Sequence, residues 1–282
     1  MKKMNLFLAA SFLSLGSVAQ ENNALVLVGP DVLVEYQIVN MSANGRWACG
    51  NVNDGDGRGF IWDLVNDVIT QVAPIGQSAP VLDIANDGTM VGLFTTNEAT
   101  ANGASMEVGG YFKDGQWHYL PGCGIANGIS DNGQYIAGIA TVNGYQAATW
   151  SLDGTMTTWS EGHVGSGYDV NNDGTMVCGF AYHPNKNNRT PAMWMLDEDG
   201  TRDSILLDFT NIGPFAVAWN FSPDGTKISA DKVIYDIPTK TAKRIDLTGV
   251  YDAYTGEKKA FLYGYEFFRV TNNGNVVGHY TT

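Results

Sequence analysis

Residues 169–179 read DVNNDGTMVCG, and five other stretches of the 282-residue chain resemble this one. Each stretch has a short apolar run, an Asn-Gly or Asp-Gly pair and a second apolar run, and five of the six end in a glycine. Recurrence of one phrase at intervals of 41 to 51 residues is typical of repeat folds. The glycines of the central pairs are Gly45, Gly88, Gly133, Gly174, Gly225 and Gly274.

Each phrase predicts a β-hairpin. Asn-Gly and Asp-Gly supply the positive φ angles that tight turns need, and the short apolar flanks are typical of buried strands. The closing glycines, such as Gly138 and Gly179, predict places where two backbones approach closely. In most repeats a second half follows, with an aromatic-centred strand, a turn such as Asp114-Gly115 and a last strand. Four short antiparallel strands per repeat predict a β-propeller blade.

The two ends of the sequence predict how the repeats close on each other. The sixth repeat stops after its first hairpin, and residues 24–36 read as strand, turn and strand ahead of the first phrase. We therefore predict that two N-terminal strands complete the last blade, which would remove exposed sheet edges. The expected fold is an all-β, six-bladed β-propeller of four-stranded blades, a single domain over residues 20–282 with about 44 residues per blade.

The first 19 residues read as a signal peptide. Lys2 and Lys3 precede a mostly apolar run at residues 6–15, and Ser17-Val18-Ala19 places small residues where signal peptidase cleaves. We predict cleavage after Ala19 and an exported protein, periplasmic or extracellular. No later segment has about 18 consecutive apolar residues, so the sequence predicts no membrane span.

Charge and composition disfavour some kinds of partner and a helical fold. With 29 acidic and 16 basic residues, the formal net charge is −13, which disfavours nucleic acid and anionic membrane surfaces as partners. The 34 glycines disfavour a helical fold. Cys49, Cys123 and Cys178 leave at least one thiol unpaired and lack metal-ligand spacing, so we interpret them as small buried apolar side chains.

The phrases resemble two known kinds of repeat. They are similar to HAF-type extracellular repeats, which read Ile-Asn/Ser-Asn-x-Gly-x-Val-x-Gly followed by a Phe/Ala-x-x-Trp strand, and the similarity covers most of residues 20–282. Residues 221–228, FSPDGTKI, also resemble the Ser-Pro-Asp-Gly repeat of TolB-like propellers. Both resemblances imply a β-propeller. Neither implies a set of catalytic residues that transfers to this chain.

Unequal connections predict which face of the propeller binds a partner. The hairpin turns are tight, whereas the connections from second to third strand, such as Thr95 to Val108, and the links between blades are long and unequal. In an up-and-down blade both long kinds emerge on one face, here called the variable face, and loops carry function more often than strands. The candidate contacts on it are Asp54, Asp56, Arg58, Tyr145, His163, Tyr182, His183, Lys186, Arg189, Tyr251, Tyr254, Tyr263 and Tyr265.

Aromatic rings beside polar groups suit a protein, peptide or glycan partner. The sequence thus favours a binding or interaction module, with no cofactor, metal or catalytic residue assigned. A glycan-acting hydrolase or lyase with paired carboxylates in the central funnel is the alternative, since such pairs need only spatial proximity. A structural subunit of a cell-envelope assembly is a second alternative. Residues 51–57 resemble a calcium loop, but Val52 falls at a ligand position, which disfavours calcium.

Overall fold

The computed structural model describes residues 36–52, 57–73, 77–99, 105–142, 144–160, 163–182, 189–207, 216–245, 265–274 and 276–280. Within these ranges every regular element is a β-strand. In chain order the strands are β1 Tyr36–Met41, β2 Trp47–Val52, β3 Gly59–Asp63, β4 Val68–Gln71, β5 Val81–Ile84, β6 Met90–Ala99, β7 Ser105–Lys113, β8 Gln116–Tyr119, β9 Cys123–Ile129, β10 Tyr135–Ala140, β11 Gln146–Ser151, β12 Met156–Thr158, β13 Gly165–Val170, β14 Met176–Tyr182, β15 Arg189–Leu196, β16 Arg202–Leu206, β17 Ala218–Phe221, β18 Lys227–Ala230, β19 Val233–Asp236, β20 Thr241–Arg244, β21 Tyr265–Val270 and β22 Val276–Tyr280.

Each predicted repeat forms one antiparallel sheet. Strands β1 to β20 make five four-stranded sheets in which neighbours follow chain order, and β21 and β22 make a two-stranded sheet. The prediction of four short antiparallel strands per repeat is confirmed for these five sheets. One predicted loop is different: within Thr95 to Val108 the strands β6 and β7 continue to pair as far as Ala99 opposite Ser105. That connection therefore extends the hairpin that β6 and β7 form.

The first strand of each sheet lies innermost. Strands β1, β5, β9, β13, β17 and β21 contact one another in succession, and most described residues of β5 and β13 are buried. The fourth strands lie outermost, and all four residues of β20 are exposed. The apolar core fills the space between adjacent sheets, where Trp150 of the third sheet belongs to the same buried cluster as Val91 and Leu120 of the second. The predicted aromatic-centred third strands supply this packing, since Trp62 and Trp194 are also buried.

The first hairpins close through turns that place only the glycine at positive φ. The amide of Gly45 donates to the carbonyl oxygen of Ser42 at 2.9 Å, and φ is +70° at Gly45. We predicted positive φ from the Asn-Gly and Asp-Gly pairs, and in these turns only the glycine has it. Asp114 and Gly115, in a second hairpin, have φ of 51° and 82°, so there both turn residues adopt the left-handed conformation.

Side chains in the first hairpins connect the first sheet to the second and the third sheet to the fourth. The amide of Asn44 donates to Asn86 Oδ1 at 2.8 Å, and Asn44 Nδ2 donates to the carbonyl oxygen of Asn86 at 3.0 Å. Asn132 and Asn172 repeat both bonds at 2.9 and 2.7 Å between the third and fourth sheets. The asparagines of the repeat therefore join hairpins as well as forming turns.

The closing glycines lie where backbones crowd. A Cβ atom on Gly179 would lie 1.9 Å from the carbonyl oxygen of Ser166, and one on Gly138 would lie 2.1 Å from that of Ile125. Any larger residue would push the first and second strands apart, so the predicted close approach is confirmed at both positions.

All three cysteines are buried and unpaired in the structure. Burial raises the pKa of Cys123 to about 12, and burial likewise raises the pKa values of Cys49 and Cys178. The thiols thus act as small apolar side chains, as predicted. Across the residues that the structure describes, no helix is long and apolar enough to cross a membrane.

Candidate binding site

The innermost strand of every sheet carries a β-bulge at the same position. In β13, for example, Gly167 pairs with Gly179 and Asp169 pairs with Cys178, so Tyr168 is an extra residue. A bulge bends the strand and re-aims a side chain. Because these strands are innermost, the bulges surround the centre of the molecule. The extra residues are Val39, Leu82, Asn127, Tyr168, Trp219 and Phe268.

In the first, second and sixth repeats, the residue after the bulge takes part in a polar network at the centre. Arg269 Nε donates to Asn40 Oδ1 at 2.9 Å, and Arg269 Nη2 donates to Asp83 Oδ1 at 2.8 Å. Asn40 Nδ2 donates to the same Asp83 oxygen at 2.6 Å. These three residues, here called the central network, belong to the sixth, first and second repeats. The carboxylate of Asp83 is 5% exposed, so its pairing with Arg269 is a buried ion pair.

The central carboxylates also join consecutive sheets. Asp83 Oδ2 accepts from the amide of Ile129 at 3.0 Å, and Asp169 Oδ2 accepts from the amide of Phe221 at 2.8 Å. Burial raises the pKa of Asp83, against the charge of Arg269. Burial, then repulsion from Asp83, raises the pKa of Asp169 well above its ordinary value. These oxygens accept hydrogen bonds from the protein itself, so Asp83 and Asp169 give no support to paired catalytic carboxylates in a funnel.

Four of the predicted contact residues lie together on the variable face. The amide of Gly165 donates to the carbonyl oxygen of Tyr145 at 3.1 Å, which joins the third sheet to the fourth. The amide of Tyr182 donates to the carbonyl oxygen of Val164 at 2.9 Å, and Tyr182 pairs with Arg189 across the strands β14 and β15. Tyr145 is 63% exposed and Val164 is 47% exposed. We call this set the rim: Tyr145, His163, Val164, Tyr182 and Arg189.

The other predicted contacts divide into three groups. Arg58 is buried and donates to Gln71, so it is not the exposed contact that we predicted. Tyr265 begins β21 and pairs with Tyr280. The remaining predicted residues lie outside the described ranges: Asp54, Asp56, His183, Lys186, Tyr251, Tyr254 and Tyr263.

A chain of aromatic rings runs from the rim to the bulges. The rings of Tyr182 and Phe180 have centroids 5.9 Å apart, and Phe180 lies 6.1 Å from Tyr168. Tyr168 meets Trp219 of the fifth sheet at 5.0 Å, with the ring planes at 88°. These four residues are here called the aromatic cluster. Such edge-to-face contacts hold the rings in fixed orientations.

Sequence reasoning missed Tyr168, Phe180 and Trp219. A signal was available for two of them, because Tyr168 and Trp219 each lie six residues before the turn glycine of their repeats. The bulge is not visible in the sequence, so this position is interpreted as an ordinary strand residue. Trp219 Nε1 donates to Asp231 Oδ1 at 2.7 Å, which fixes the indole at the boundary between the sheets.

The positively charged side chain of Arg189 contacts the aromatic cluster. Its Cζ lies 4.5 Å from the ring centroid of Phe180, which is cation–π distance. Its Nε is buried and has no hydrogen-bond partner among the described residues. Other arginines are engaged: Arg46 pairs with Asp63 at 3.3 Å, and Arg202 donates to the carbonyl oxygen of Thr158 at 2.7 Å.

Four-stranded antiparallel sheets whose first strands meet around a centre define the β-propeller class. Comparison with solved structures supports this class. The structure of putative TolB from Agrobacterium tumefaciens matches with a TM-score of 0.51 and 15% sequence identity, covering 73% of this chain and 78% of that one. At this identity the match concerns the fold alone, which is that of a TolB-like β-propeller.

Two further structures match with lower scores. TolB from Acinetobacter baumannii has a TM-score of 0.44 and 16% identity over 66% of this chain, which spans 48% of the TolB chain. A chain of the nidogen/laminin complex has a TM-score of 0.45 and 10% identity, covering 75% of this chain and 80% of that one. No protein-family model matches the sequence, and no curated protein matches it.

Proposed function

We propose that the protein is an exported binding module that recognises a protein, peptide or glycan on its variable face. The observation that carries the proposal is the continuity of the rim with the aromatic cluster. Exposed Tyr145, half-buried Tyr182 and the cation of Arg189 lie along one edge of the third and fourth sheets. Rings beside polar groups suit such partners.

The complete propeller in this proposal has six blades over residues 20–282. Strands formed by residues 24–36 would complete the sixth blade beside β21 and β22. The hydrogen bonds from Arg269 to Asn40 and Asp83 support this arrangement, because they connect the last described sheet to the first two. The HAF-type resemblance of the repeats supports the same architecture. Deleting residues 24–36 should lower the melting temperature strongly, and unchanged melting would count against closure by these strands.

Export in this proposal follows cleavage after Ala19, with residues 1–19 acting as a signal peptide. The Lys2-Lys3 pair, the apolar run and Ser17-Val18-Ala19 support it. Mass spectrometry of the protein recovered from the periplasm or medium should find Gln20 at the N-terminus. Recovery of an uncleaved cytoplasmic chain would refute export.

The binding proposal is tested by screening purified residues 20–282 on peptide and glycan arrays. Tyr145→Ala and Tyr182→Ala should each weaken retention of any ligand at least about tenfold, as expected for aromatic residues at the centre of a contact. Tyr119→Ala is the matched control, because Tyr119 is 52% exposed but lies on the outermost strand of the second sheet. Retention that is indifferent to both rim variants would reject this face as the binding surface.

A further inference from the structure

We propose, as a refinement that rests on the proposed function, that Arg189 and the aromatic cluster bind the C-terminal residue of a peptide. In this view the guanidinium takes the terminal carboxylate, and the rings take an apolar side chain on the same residue. The argument depends on the charge of Arg189, on the apolar wall beside it and on their separation.

The guanidinium of Arg189 is positioned for an anion. Its stacking on Phe180 orients the group, and no carboxylate among the described residues pairs with it. Arg269 is the contrasting case, since it makes hydrogen bonds to both Asn40 and Asp83. A guanidinium is a planar fork that matches a carboxylate through two parallel hydrogen bonds. A carboxylate ligand would therefore complete the bonding of Arg189.

The wall beside Arg189 is apolar. Phe180 is buried, and Tyr168 and Trp219 are half-buried at the boundary between the fourth and fifth sheets. Edge-to-face contacts at 5.0 and 5.9 Å fix Trp219 and Tyr182 at its two ends. Because these rings are already held in place, an apolar side chain can bind against them at little cost in conformational entropy of the protein.

The separation of the two features selects the ligand. The Arg189 Cζ lies 4.5 Å from the centroid of the buried Phe180 ring, and the partly exposed ring of Tyr168 lies 6.1 Å from that centroid. The anion and the apolar group must therefore be close neighbours in the ligand. In a C-terminal residue both groups are attached to one Cα atom. An internal Asp or Glu instead carries its carboxylate on a side chain that has no apolar branch.

The arrangement of rings favours a peptide over an acidic sugar. Sugars stack on open faces of aromatic rings, and here the guanidinium of Arg189 covers a face of Phe180. Trp219 and Tyr182 meet their neighbours edge to face, and the indole nitrogen of Trp219 is bonded to Asp231. The cluster thus offers an apolar wall with one cation, and its polar groups near Trp219 are already engaged.

The test uses N-acetyl-phenylalanine as a minimal C-terminus and N-acetyl-phenylalaninamide as its uncharged match. Dissociation constants for residues 20–282 are measured by ligand-observed NMR. We expect the acid to bind at least about tenfold more tightly than the amide, because a hydrogen-bonded charge is lost in the amide. Arg189→Met should remove this preference, and Arg189→Lys, which keeps a point charge, should retain part of it.

Arg202→Met is the matched control, because Arg202 also stacks on an aromatic ring, that of Trp159 at 5.7 Å, but at a different place in the fold. It should leave the preference for the acid unchanged. Equal binding of acid and amide, a preference that survives Arg189→Met, or tighter binding of glucuronic acid than of N-acetyl-phenylalanine would overturn the inference. If array ligands still depend on Tyr145 and Tyr182 in that case, the binding function stands and only the C-terminal specificity fails. If neither arrays nor N-acetyl-phenylalanine show binding, both proposals fail.

Discussion

Arg269 and Arg189 occupy contrasting places in the same fold. Arg269 makes two hydrogen bonds within the central network, and its partner Asp83 is also bonded to the amide of Ile129. Arg189 stacks on Phe180 and makes no hydrogen bond through its buried Nε among the described residues. The comparison teaches that the centre uses charge to join distant repeats, whereas Arg189 in the fourth sheet has no ion-pair partner among the described residues.

The largest expected effect comes from removing the central charge. Arg269→Met would leave Asp83 buried without its cation, and we expect unfolding free energy to fall by about 3–5 kcal/mol. Urea denaturation measures the change. Arg46→Met is the control, because Arg46 pairs with Asp63 while half exposed and should cost less than about 1 kcal/mol. Similar losses of unfolding free energy in both variants would show that the central ion pair is no more important for stability than the surface pair.

A second test concerns the tight packing beside the central carboxylates. Gly179→Ala would place a Cβ atom 1.9 Å from the Ser166 carbonyl oxygen, which forces the strands β13 and β14 apart. We expect a loss of about 2–3 kcal/mol from this overpacking. Gly115→Ala is the comparison, since nothing lies within 4 Å of its Cβ and only the positive φ is strained. A smaller loss of about 1 kcal/mol is expected there, and thermal melting of both proteins checks the order.

The third test uses pH to separate the centre from the surface. Burial, then the charge of Asp83, raises the folded-state pKa of Asp169 well above 3.8. At a pH between these two pKa values, the folded protein binds a proton at Asp169 that the unfolded chain does not. The stability that Asp169 contributes is therefore complete below the unfolded-state pKa, and it is lost as pH rises through the folded-state pKa.

Asp169→Asn should remove that dependence. The difference in unfolding free energy between wild type and variant should change with pH by up to about 1.4 kcal/mol per unit above about pH 4. Urea titrations at several pH values measure it. For Asp153→Asn, the difference in unfolding free energy should change with pH in the opposite direction. The reason is that hydrogen bonds from Ser151 and Thr155 lower the pKa of that exposed carboxyl. Parallel profiles for the two variants would contradict the assignment.

The smallest expected effect on stability is at the edge. Arg189→Met removes a partly exposed cation that has no described ion-pair partner, so unfolding free energy should change by less than about 1 kcal/mol. The same variant is the one expected to abolish selectivity for a C-terminal carboxylate. A large loss of stability on Arg189→Met would show that this arginine is structural, as Arg269 is.

The sequence predicted the repeat and its strands well because both depend on local chemistry. Turn glycines, short apolar runs and aromatic third strands each act within about 45 residues, and the five four-stranded sheets follow them. The crowding at Gly138 and Gly179 was predictable for the same reason.

The candidate site was predictable only in part. Unequal loop lengths pointed to Tyr145, Tyr182 and Arg189, which the fold brings together. Arg58 looked like a loop contact, but it is buried and forms a parallel bridge with Ala79. The bulges could not be read from period-two alternation, since one extra residue shifts the register and moves Tyr168 and Trp219 out of the ladder.

The hydrogen bond between Arg269 and Asn40 joins residues that are 229 positions apart, which has a consequence for the order of folding. Strands within one sheet are neighbours in the chain and can pair as soon as they leave the ribosome, whereas this contact must wait until the sixth repeat has been made. Until then Asp83 lacks the cation that neutralises it. We therefore expect the early sheets to form first and the chain to become resistant to proteolysis only in its final step, when Arg269 arrives.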